Sequence, residues 1–330
     1  MREEHLRYLV CPRCQGDLEI LDGRAAGSPS IETGSLKCTT CRKTYEIVRH
    51  VPRFVPAKNY AGTFGLEWTR HARTQYDGHT GANISETRFF EETKWPRRLE
   101  GQLVLEVGSG SGRFTEQAAS TGAMVASVDY SSAVDANYAS NGGRENVLIV
   151  QADLRRMPFR ENFFDRLFCF GVLQHTPDPE RSFMALPRYL KSGGSLVVDV
   201  YRRRGAVRQA LATKYWARLF TRRMAPERLY RWCEAYIRFM WPVARLLRRL
   251  PLGRGLTWKL LIADYYGVRD LREEMLIEWA ILDTFDMLSP MYDNPQTVET
   301  VREWFRKADM SDIDVRCGYN GVEGRGTKNG

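Results

Sequence analysis

An apolar segment that runs directly into a glycine-rich turn is the feature that most constrains the fold of this chain. The segment Leu103–Val107 reads LVLEV, and glycine follows at every second position, 108, 110 and 112. A helix-forming sequence begins immediately afterwards. A strand, a glycine turn and a helix in this order bring backbone N–H groups and a helix start against a ligand that approaches closely. The sequence therefore predicts an α/β unit with a ligand site at the end of this strand.

Short apolar runs alternate with amphipathic segments between residues 102 and 201. The runs are LVLEV, MVASVDY, NVLIVQADL, FDRLFCFGVL and SLVVDVY. This alternation is typical of a parallel sheet covered by helices. A helix over about 296–307 and the closing pair SDIDVRCGYN and GVEGRGTK predict the end of the same sheet. The residues between, 202–293, are then a large helical insertion late in the fold.

Acidic residues stand at the ends of three of these runs. Asp129 ends the second run, 21 residues after Gly108, where a carboxylate can accept both hydroxyls of a ribose. Asp153 ends the third run and could accept from an exocyclic amine, while Leu154 offers its backbone N–H. Glu106 lies two positions before the first glycine and could accept from water or a cationic amino group. Each acid alone could be a solvated turn residue. Three together favour a ligand site, because ligands in open α/β sheets bind at the carboxyl ends of strands.

A dinucleotide site is the alternative interpretation of the glycine turn. That motif requires small residues at positions 108, 110 and 113, but position 113 is arginine and the third glycine comes one residue early. The spacing therefore disfavours a dinucleotide.

From 103 to 201 the sequence resembles the class I S-adenosylmethionine-dependent methyltransferases of the small-molecule type. The matching motifs are EVGSGSG, VDYS, QADLRRMPF, FFDRLFCFGVLQHTPDP and RYLKSGG. The resemblance implies a Rossmann-like seven-stranded sheet with S-adenosylmethionine as cofactor. By this resemblance, the methionine part of the cofactor would contact Gly108, Gly110 and Gly112, and the ribose would contact Asp129 and Tyr130. The adenine would contact Asp153 and Leu154, and the reacting side would contact Phe170.

Two CxxC pairs near the N-terminus predict a structural zinc site. The four thiolates of Cys11, Cys14, Cys38 and Cys41 suit a tetrahedral ion and leave no position open for a substrate water. A redox disulfide and buried free cysteines are the alternatives, but a single redox pair would not need the second pair. The segment also resembles the small zinc-ribbon activator domain found beside tRNA and protein methyltransferases, including its closing pattern CxxCxxxYEI followed by VPRF.

The residues that would activate an acceptor are less sharply indicated. His175, just past the fourth run in LQHTPD, is a candidate general base because neutral imidazole is available at pH 7. A residue at a helix start near the cofactor is the alternative. Asp286 and Tyr292, with Asp283, form a second cluster in DTFDMLSPMYDNPQT that could bind sugar hydroxyls or simply cap helices and turns.

The acceptor class is suggested by a further resemblance. Three segments resemble methyltransferases encoded with bacterial polysaccharide or glycoconjugate pathways. They are FGLEW, the block LSPMYDNPQT with its following WF, and the ending NGVEGRGTK. That likeness implies O-methylation of a sugar or another small-molecule hydroxyl.

The insertion is strongly basic. Residues 201–260 contain sixteen basic and two acidic side chains, a charge of +14 in a chain whose net charge is +9. Such a segment attracts phosphate, whether of RNA, anionic lipid or a nucleotide-linked substrate. An apolar stripe from Leu229 to Leu247, with arginines 231, 238, 245 and 249 roughly opposite, predicts a lid helix or a helix on an anionic membrane, kinked or split at Pro242.

Three alternative functions follow, two methyltransferases and one protein of another class. An O-methyltransferase of sugars or glycoconjugates is favoured over a methyltransferase of ribosomal or transfer RNA, since FGVL replaces an amide-methylating tetrapeptide after the fourth run. The third is a non-catalytic cofactor-binding or activator protein.

The sequence has no signal peptide and no apolar run of the ~18 residues that a membrane span needs. The chain is therefore expected in the cytoplasm or on the inner membrane face. No oligomeric state is predicted.

The expected organisation has five parts. These are a zinc ribbon (1–56), a connector (57–100), the S-adenosylmethionine-binding core (101–201), a basic helical lid or substrate insertion (202–293) and the end of the sheet (294–330).

Overall fold

The structure is a computed structural model that describes residues 1–23, 30–56, 59–205, 211–268 and 270–330. Within these ranges the strands are β1 (Leu18–Asp22), β2 (Gly34–Cys38), β3 (Thr44–Val48), β4 (Val51–Arg53), β5 (Leu103–Val107), β6 (Met124–Asp129), β7 (Val147–Gln151), β8 (Phe164–Phe170), β9 (Leu190–Val200), β10 (Met310–Cys317) and β11 (Val322–Lys328).

The α-helices of the described residues lie between these strands. They are α1 (Gly62–Arg70), α2 (Asp77–Thr80), α3 (Ile84–Thr93), α4 (Arg113–Ser120), α5 (Val134–Asn141), α6 (Pro179–Met184), α7 (Thr213–Thr221), α8 (Pro226–Leu247), α9 (Gly253–Lys259), α10 (Glu273–Leu288) and α11 (Val298–Lys307).

The strands form one mixed sheet in the described part of the chain. Its order is β1-β2-β3-β4-β7-β6-β5-β8-β9-β11-β10. The strands from β7 to β9 are parallel, and β11 and β10 close that end in antiparallel pairing. Each of the five apolar runs is a strand, and the terminal pair joins the same sheet, which confirms the expected seven-stranded methyltransferase fold. The strands are almost fully buried because helices cover the parallel part.

The N-terminal strands extend this sheet. β4 lies parallel to β7, where Arg53 stands opposite Gln151 and the Phe54 N–H donates to the Gln151 carbonyl over 2.8 Å. β3 and β4 form a hairpin. Arg49 and His50 adopt positive φ angles of 50° and 65°, which reverse the chain between β3 and β4.

The helices after β9 have a core of their own. Side chains of α8 such as Cys233 and Ile237 are buried against Phe285 and Leu288 of α10. α8 is a single helix of 22 residues with Pro242 inside it, so the expected split is not observed. Pro242 and Arg238, whose carbonyl loses its helical donor at the proline, are both exposed, so water can satisfy that carbonyl.

Candidate active site and metal centre

A cavity of about 1420 Å³ lies at the carboxyl ends of the parallel strands. One side consists of residues that end or follow β5, β6, β7 and β8. A second side comes from residues 60–75, which include α1, and a third from the helical insertion. The volume exceeds the ~300–1,000 Å³ of a site for one drug-sized ligand, so two ligands fit side by side.

The glycine turn presents bare backbone to this cavity. Gly108 and Gly110 line it, with φ angles of +83° and +52° that favour glycine. A Cβ on Gly108 would lie 2.0 Å from a methyl carbon of Val172, and one on Gly110 would lie 3.0 Å from the Trp68 ring. Gly112, with a φ of +93°, faces Asn137 and does not line the cavity. The turn therefore fits a ligand that contacts the backbone directly.

Asp129 connects the end of β6 to the glycine turn. Its Oδ2 accepts the Gly110 N–H over 2.9 Å, and its Oδ1 accepts the N–H and hydroxyl of Ser131, each over 2.7 Å. Burial raises the pKa of this carboxyl, and these hydrogen bonds oppose that shift. The carboxylate lines the cavity, where remaining lone pairs could accept from ligand hydroxyls.

The other residues expected to contact the ribose, the adenine and the reacting side also line the cavity. They are Tyr130, Asp153, Leu154 and Phe170. Burial opposes the ionisation of Asp153, but the side chain and backbone N–H of Arg155 hydrogen-bond to its carboxylate and lower its pKa. Any amine that binds there would share the carboxylate with Arg155.

Glu106, like Gly112, is an expected cofactor residue that the structure places outside the cavity lining. Its Oε2 accepts the hydroxyls of Thr115 and Ser127, the latter over 2.8 Å. Burial raises its pKa to about 7 despite these donors. The side chain is absent from the cavity lining, because it points between β5, β6 and α4 and holds them together.

His175 lies in the cavity wall on a short 3₁₀ turn, Leu173–His175. Its Nδ1 is 3.0 Å from the carbonyl oxygen of Tyr292. Because a carbonyl only accepts, Nδ1 carries the proton, and the lone pair of the neutral imidazole is on Nε2. The Tyr292 side chain is outside the cavity lining and packs edge-on against Tyr60.

Three carboxyl groups line the part of the cavity that α1 and α10 form. Asp286 accepts the Tyr201 hydroxyl over 2.7 Å, and Asp283 accepts the Tyr265 hydroxyl. Glu67 of α1 completes the group. Its side chain is 1% exposed, lines the cavity, and has an Oε2 without a hydrogen-bond partner among the described residues. Burial, followed by the charges of Asp286 and Asp283, raises the pKa of Glu67 well above its usual range.

The sequence analysis did not single out Glu67. The available signal was a glutamate within FGLEW, whose neighbours on a short amphipathic helix are apolar or aromatic. A charged residue in such a setting is buried at a cost and suggests a functional role.

The four cysteines near the N-terminus form a group able to hold a metal ion. Their sulfur atoms all lie within 4.8 Å of one another. Cys11 and Cys41 are 3.7 Å apart and Cys14 and Cys38 are 3.5 Å apart, without disulfides. A tetrahedral ZnS₄ site with bonds of ~2.3 Å has S–S edges of about 3.8 Å, so the spacing fits zinc. None of the four cysteines lines the cavity.

The central part of the chain, which contributes one side of the cavity, is similar to a known protein family. Residues 105–198 match the family model of a methyltransferase domain. This segment is therefore similar to methyltransferase domains. It contains the glycine turn, Asp129, Asp153 and His175, and its family supports S-adenosylmethionine as the cofactor and an enzyme of class I.

Similarity to curated relatives covers about a third of this chain. A ubiquinone biosynthesis O-methyltransferase of Coxiella burnetii is 32% identical over 108 residues, which are 32% of this chain and 46% of that protein. The enzyme of the same name from Xanthomonas oryzae pv. oryzae is 33% identical over 132 residues, 38% of this chain and 54% of that protein. The chain therefore spans about half the length of these relatives.

Similar solved structures have low identity. A Methanococcus maripaludis protein with a provisional assignment as an S-adenosyl-L-methionine-dependent methyltransferase is 14% identical, with a TM-score of 0.45 over 84% of this chain and 97% of that one. Phosphoethanolamine N-methyltransferase 2 of Haemonchus contortus is 18% identical, with a TM-score of 0.42 over 78% of this chain and 43% of that one.

Proposed function

We propose that this protein transfers a methyl group from S-adenosylmethionine to a hydroxyl oxygen of a sugar or glycoconjugate. The observation that carries the proposal is one cavity with two dissimilar ends. Bare glycine backbone and Asp129 form one end, and carboxyl groups with tyrosine hydroxyls form the other. The names of the relatives, O-methyltransferases, support oxygen as the methylated atom.

The cofactor end has donors and acceptors for each part of S-adenosylmethionine. The backbone of Gly108 and Gly110 would contact the methionine part, and Asp129 with Tyr130 would bind the ribose. Asp153 and the Leu154 N–H would recognise the adenine. Phe170 would cover the reacting side.

The cofactor supplies an electrophilic methyl group, so the protein mainly has to align the acceptor and exclude water. Glu106 would act indirectly, by holding the strands that carry these residues.

His175 is the proposed general base. Its Nδ1 proton is engaged by the Tyr292 carbonyl, which leaves Nε2 to take the acceptor hydroxyl proton as the oxygen attacks. Tyr292 is thus proposed as a positioning residue that acts through its backbone. Asp286 would accept a second acceptor hydroxyl, because its own partner, Tyr201, is held neutral by burial and donates to it.

The three carboxyl groups suit hydroxyls better than a metal ion. Among the described residues, the four cysteines are the group of three or more candidate ligands with atoms close enough for one ion. The carboxyl oxygens of Glu67, Asp283 and Asp286 do not converge in that way. Separate carboxylates and a neutral carboxylic acid that can donate match the alternating hydroxyls of a sugar.

We also propose that the four cysteines hold a structural zinc ion and that residues 202–293 form the lid over the acceptor. The proposed location is the cytoplasm, at the inner face of the membrane. The sulfur spacing supports zinc, and the cavity lining supports the lid, since α7, α9 and α10 all contribute to it.

RNA methylation is the second candidate. The observation that favours it is the +14 charge of residues 201–260, which would bind a phosphate backbone. Neutralising arginines 231, 238, 245 and 249 would then lower activity and its salt dependence together. The third candidate, a non-catalytic cofactor-binding protein, predicts cofactor binding without transfer.

One experiment separates these functions. Tritiated methyl transfer from S-adenosylmethionine is measured into the RNA, protein, lipid-linked and soluble fractions of a cell extract. Label in a glycan of the lipid-linked or soluble fraction, lost with His175→Gln, is expected. Label confined to RNA would replace the proposal with the second candidate, and cofactor binding without label in any fraction would favour the third.

A further inference from the structure

Large apolar side chains are exposed mainly on the helical insertion. Most of those found in the described residues lie between 211 and 268. They include Leu211, Trp216, Leu219, Phe220, Trp232, Phe239, Val243, Leu246, Leu250, Leu252, Leu256, Trp258 and Leu260. An exposed apolar surface of this extent on one part of a protein marks a binding surface.

α8 has two apolar faces. One face, which includes Cys233, Ile237 and Ala244, is buried against the rest of the insertion. The other face carries Trp232, Phe239, Val243 and Leu246, spaced by seven, four and three residues, so these side chains lie along one side of the helix. Phe239 is 80% exposed and Leu246 is 62% exposed. Folding of the chain accounts for the first face and leaves the second uncovered.

α7 repeats this arrangement. Trp216, Leu219 and Phe220, at positions i, i+3 and i+4, share one face, and their exposures are 64%, 48% and 73%. The buried side of α7 is held by Arg218, which donates to the carbonyls of Met287 and Pro290. The outward orientation of the aromatic residues is therefore fixed by buried hydrogen bonds.

Basic side chains flank these apolar faces. Arg231 and Arg238 lie between the two faces of α8, and Arg222 and Arg223 follow α7; all four are exposed. Residues 201–260 contain only two acidic side chains, and one of them, Glu234, pairs with Arg238. An apolar stripe bordered by arginine is the pattern of a helix that lies in the interface of an anionic membrane.

The same surface continues into the active-site cavity. Leu211, Arg254, Trp258 and Lys259 line the cavity and also belong to the exposed set of the insertion. A molecule held in a bilayer against this surface would therefore meet the cavity at its edge.

We propose that α7, α8 and residues 250–260 dock on an anionic lipid bilayer and that the acceptor enters the cavity from it. Docking on the bilayer does not depend on methyltransferase activity, whereas entry of the acceptor from the bilayer rests on the proposed function. None of the helices in the described ranges combines the length and apolar character that a membrane crossing requires, so the contact is peripheral. The many aliphatic side chains favour lipid over RNA, because bases stack on aromatic rings and not on leucine or valine.

The test is co-sedimentation of the full chain with vesicles. One set contains phosphatidylcholine alone, and the other also contains phosphatidylglycerol. We expect the protein to bind the second set of vesicles, and to bind less as the salt concentration rises. The partition coefficient should fall about tenfold in the double variant Trp216→Ser/Phe220→Ser and also in the single variant Phe239→Ser. Leu21→Ser, an exposed apolar residue outside the insertion, is the matched control and should bind normally. Arg231→Gln should weaken binding, whereas Arg98→Gln should not.

The outcomes discriminate among occupants of the surface. Cofactor affinity and melting temperature should be unchanged in these variants, which separates docking from folding and from the proposed activity. Absence of vesicle binding by the unaltered protein would overturn the proposal even if methyl transfer is found. A dimer in sedimentation equilibrium that Phe239→Ser dissociates would assign the surface to a second copy. Binding of single-stranded RNA that these substitutions abolish, without vesicle binding, would assign it to RNA.

Discussion

The acidic residues around the cavity differ in what surrounds them, and this sets their roles. Asp129 receives three hydrogen bonds from backbone and hydroxyl donors, which offset the cost of burying its charge. Glu67 has carboxyl groups as neighbours and one oxygen without a hydrogen-bond partner among the described residues, so burial and like charge raise its pKa well above the usual range. The same cavity is thus lined by a carboxyl group with three hydrogen-bond donors and by one whose surroundings favour the protonated form.

Replacing Asp129 tests the ribose contact. Asp129→Asn should weaken S-adenosylmethionine binding by about 1–3 kcal/mol, because an amide cannot accept both ribose hydroxyls. Calorimetry measures the change. Ser131→Ala, which removes one donor to the carboxylate but keeps it in place, should lose much less affinity. Equal losses in the two variants would mean that Asp129 only holds the loop, and tight binding of NADH would reject the cofactor assignment.

Glu67 should make stability depend on pH. The folded protein keeps a proton that the unfolded chain releases above the ordinary pKa of 4.5, so stability should fall as pH rises from that value. Glu67→Gln removes this loss, and its melting temperature should exceed that of the unaltered protein by more at pH 8 than at pH 4. Glu91→Gln, at an exposed position, should show no such trend. Parallel pH profiles for Glu67→Gln and the unaltered protein would contradict the assignment.

At the scale of elements, the strand, turn and helix around Gly108 depend on close packing. β5 can pass directly into α4 because three glycines adopt positive φ angles, and α1 covers the turn with Trp68. The turn is thus fixed by its neighbours as well as by its own residues.

Gly108→Ala should destabilise the fold by about 1–3 kcal/mol, through both its φ angle and its clash with Val172. Chemical denaturation measures the change. Adding Val172→Ala should restore part of the loss, since it removes the clash. Gly193→Ala is the matched control, because its φ is +76° and nothing lies within 4 Å of the added Cβ. It should cost less than Gly108→Ala; a similar cost would show that the contact with Val172 contributes nothing.

At the scale of the whole molecule, the cysteine-rich segment and the methyltransferase domain share one sheet. Arg53 of β4 donates to the Gln151 side chain over 3.0 Å, and Gln151 donates to the Tyr130 carbonyl over 3.1 Å. Tyr130 is next to Asp129. β4 of the cysteine-rich segment is therefore connected to the cavity wall at Tyr130 by two successive hydrogen bonds.

Removing the metal should accordingly affect both parts. Cys38→Ser should reduce the bound zinc, lower the melting temperature and weaken S-adenosylmethionine binding, because β4 loses its support beside β7. Metal analysis, thermal denaturation and calorimetry measure these effects. Cys317→Ser, at an exposed cysteine outside the group, should retain zinc and stability. A zinc-free protein with an unchanged melting temperature would contradict a structural role for the metal.

Much of the fold follows from local sequence patterns. The five apolar runs become strands β5 to β9 in order, because strand formation and burial both depend on spacing within a few residues. Asp129 and Asp153 reach the cavity since each follows a parallel strand, and such strands end at one edge. The four cysteines come together because each pair lies in a tight turn.

Side-chain direction and long-range packing required the tertiary structure. Glu106 stands beside the glycine turn in sequence but points into a hydroxyl-lined interior between strands. Trp232, read as part of the buried stripe of α8, is exposed on its second apolar face. Periodicity shows that a helix has apolar residues, but only its packing partners decide which of two apolar faces is covered.

The acceptor end of the cavity shows the same limit most clearly. Glu67 and Asp286 lie in segments far apart in sequence, and nothing local to either predicts the other. The sequence by itself determined the proposed cofactor end, where the turn after β5 and the carboxyl ends of β6, β7 and β8 supply the residues. Only the packing of α1 and α10 over the sheet brought Glu67, Asp283 and Asp286 into the cavity wall. Burial and like charge at Glu67 arise from contacts between these distant segments.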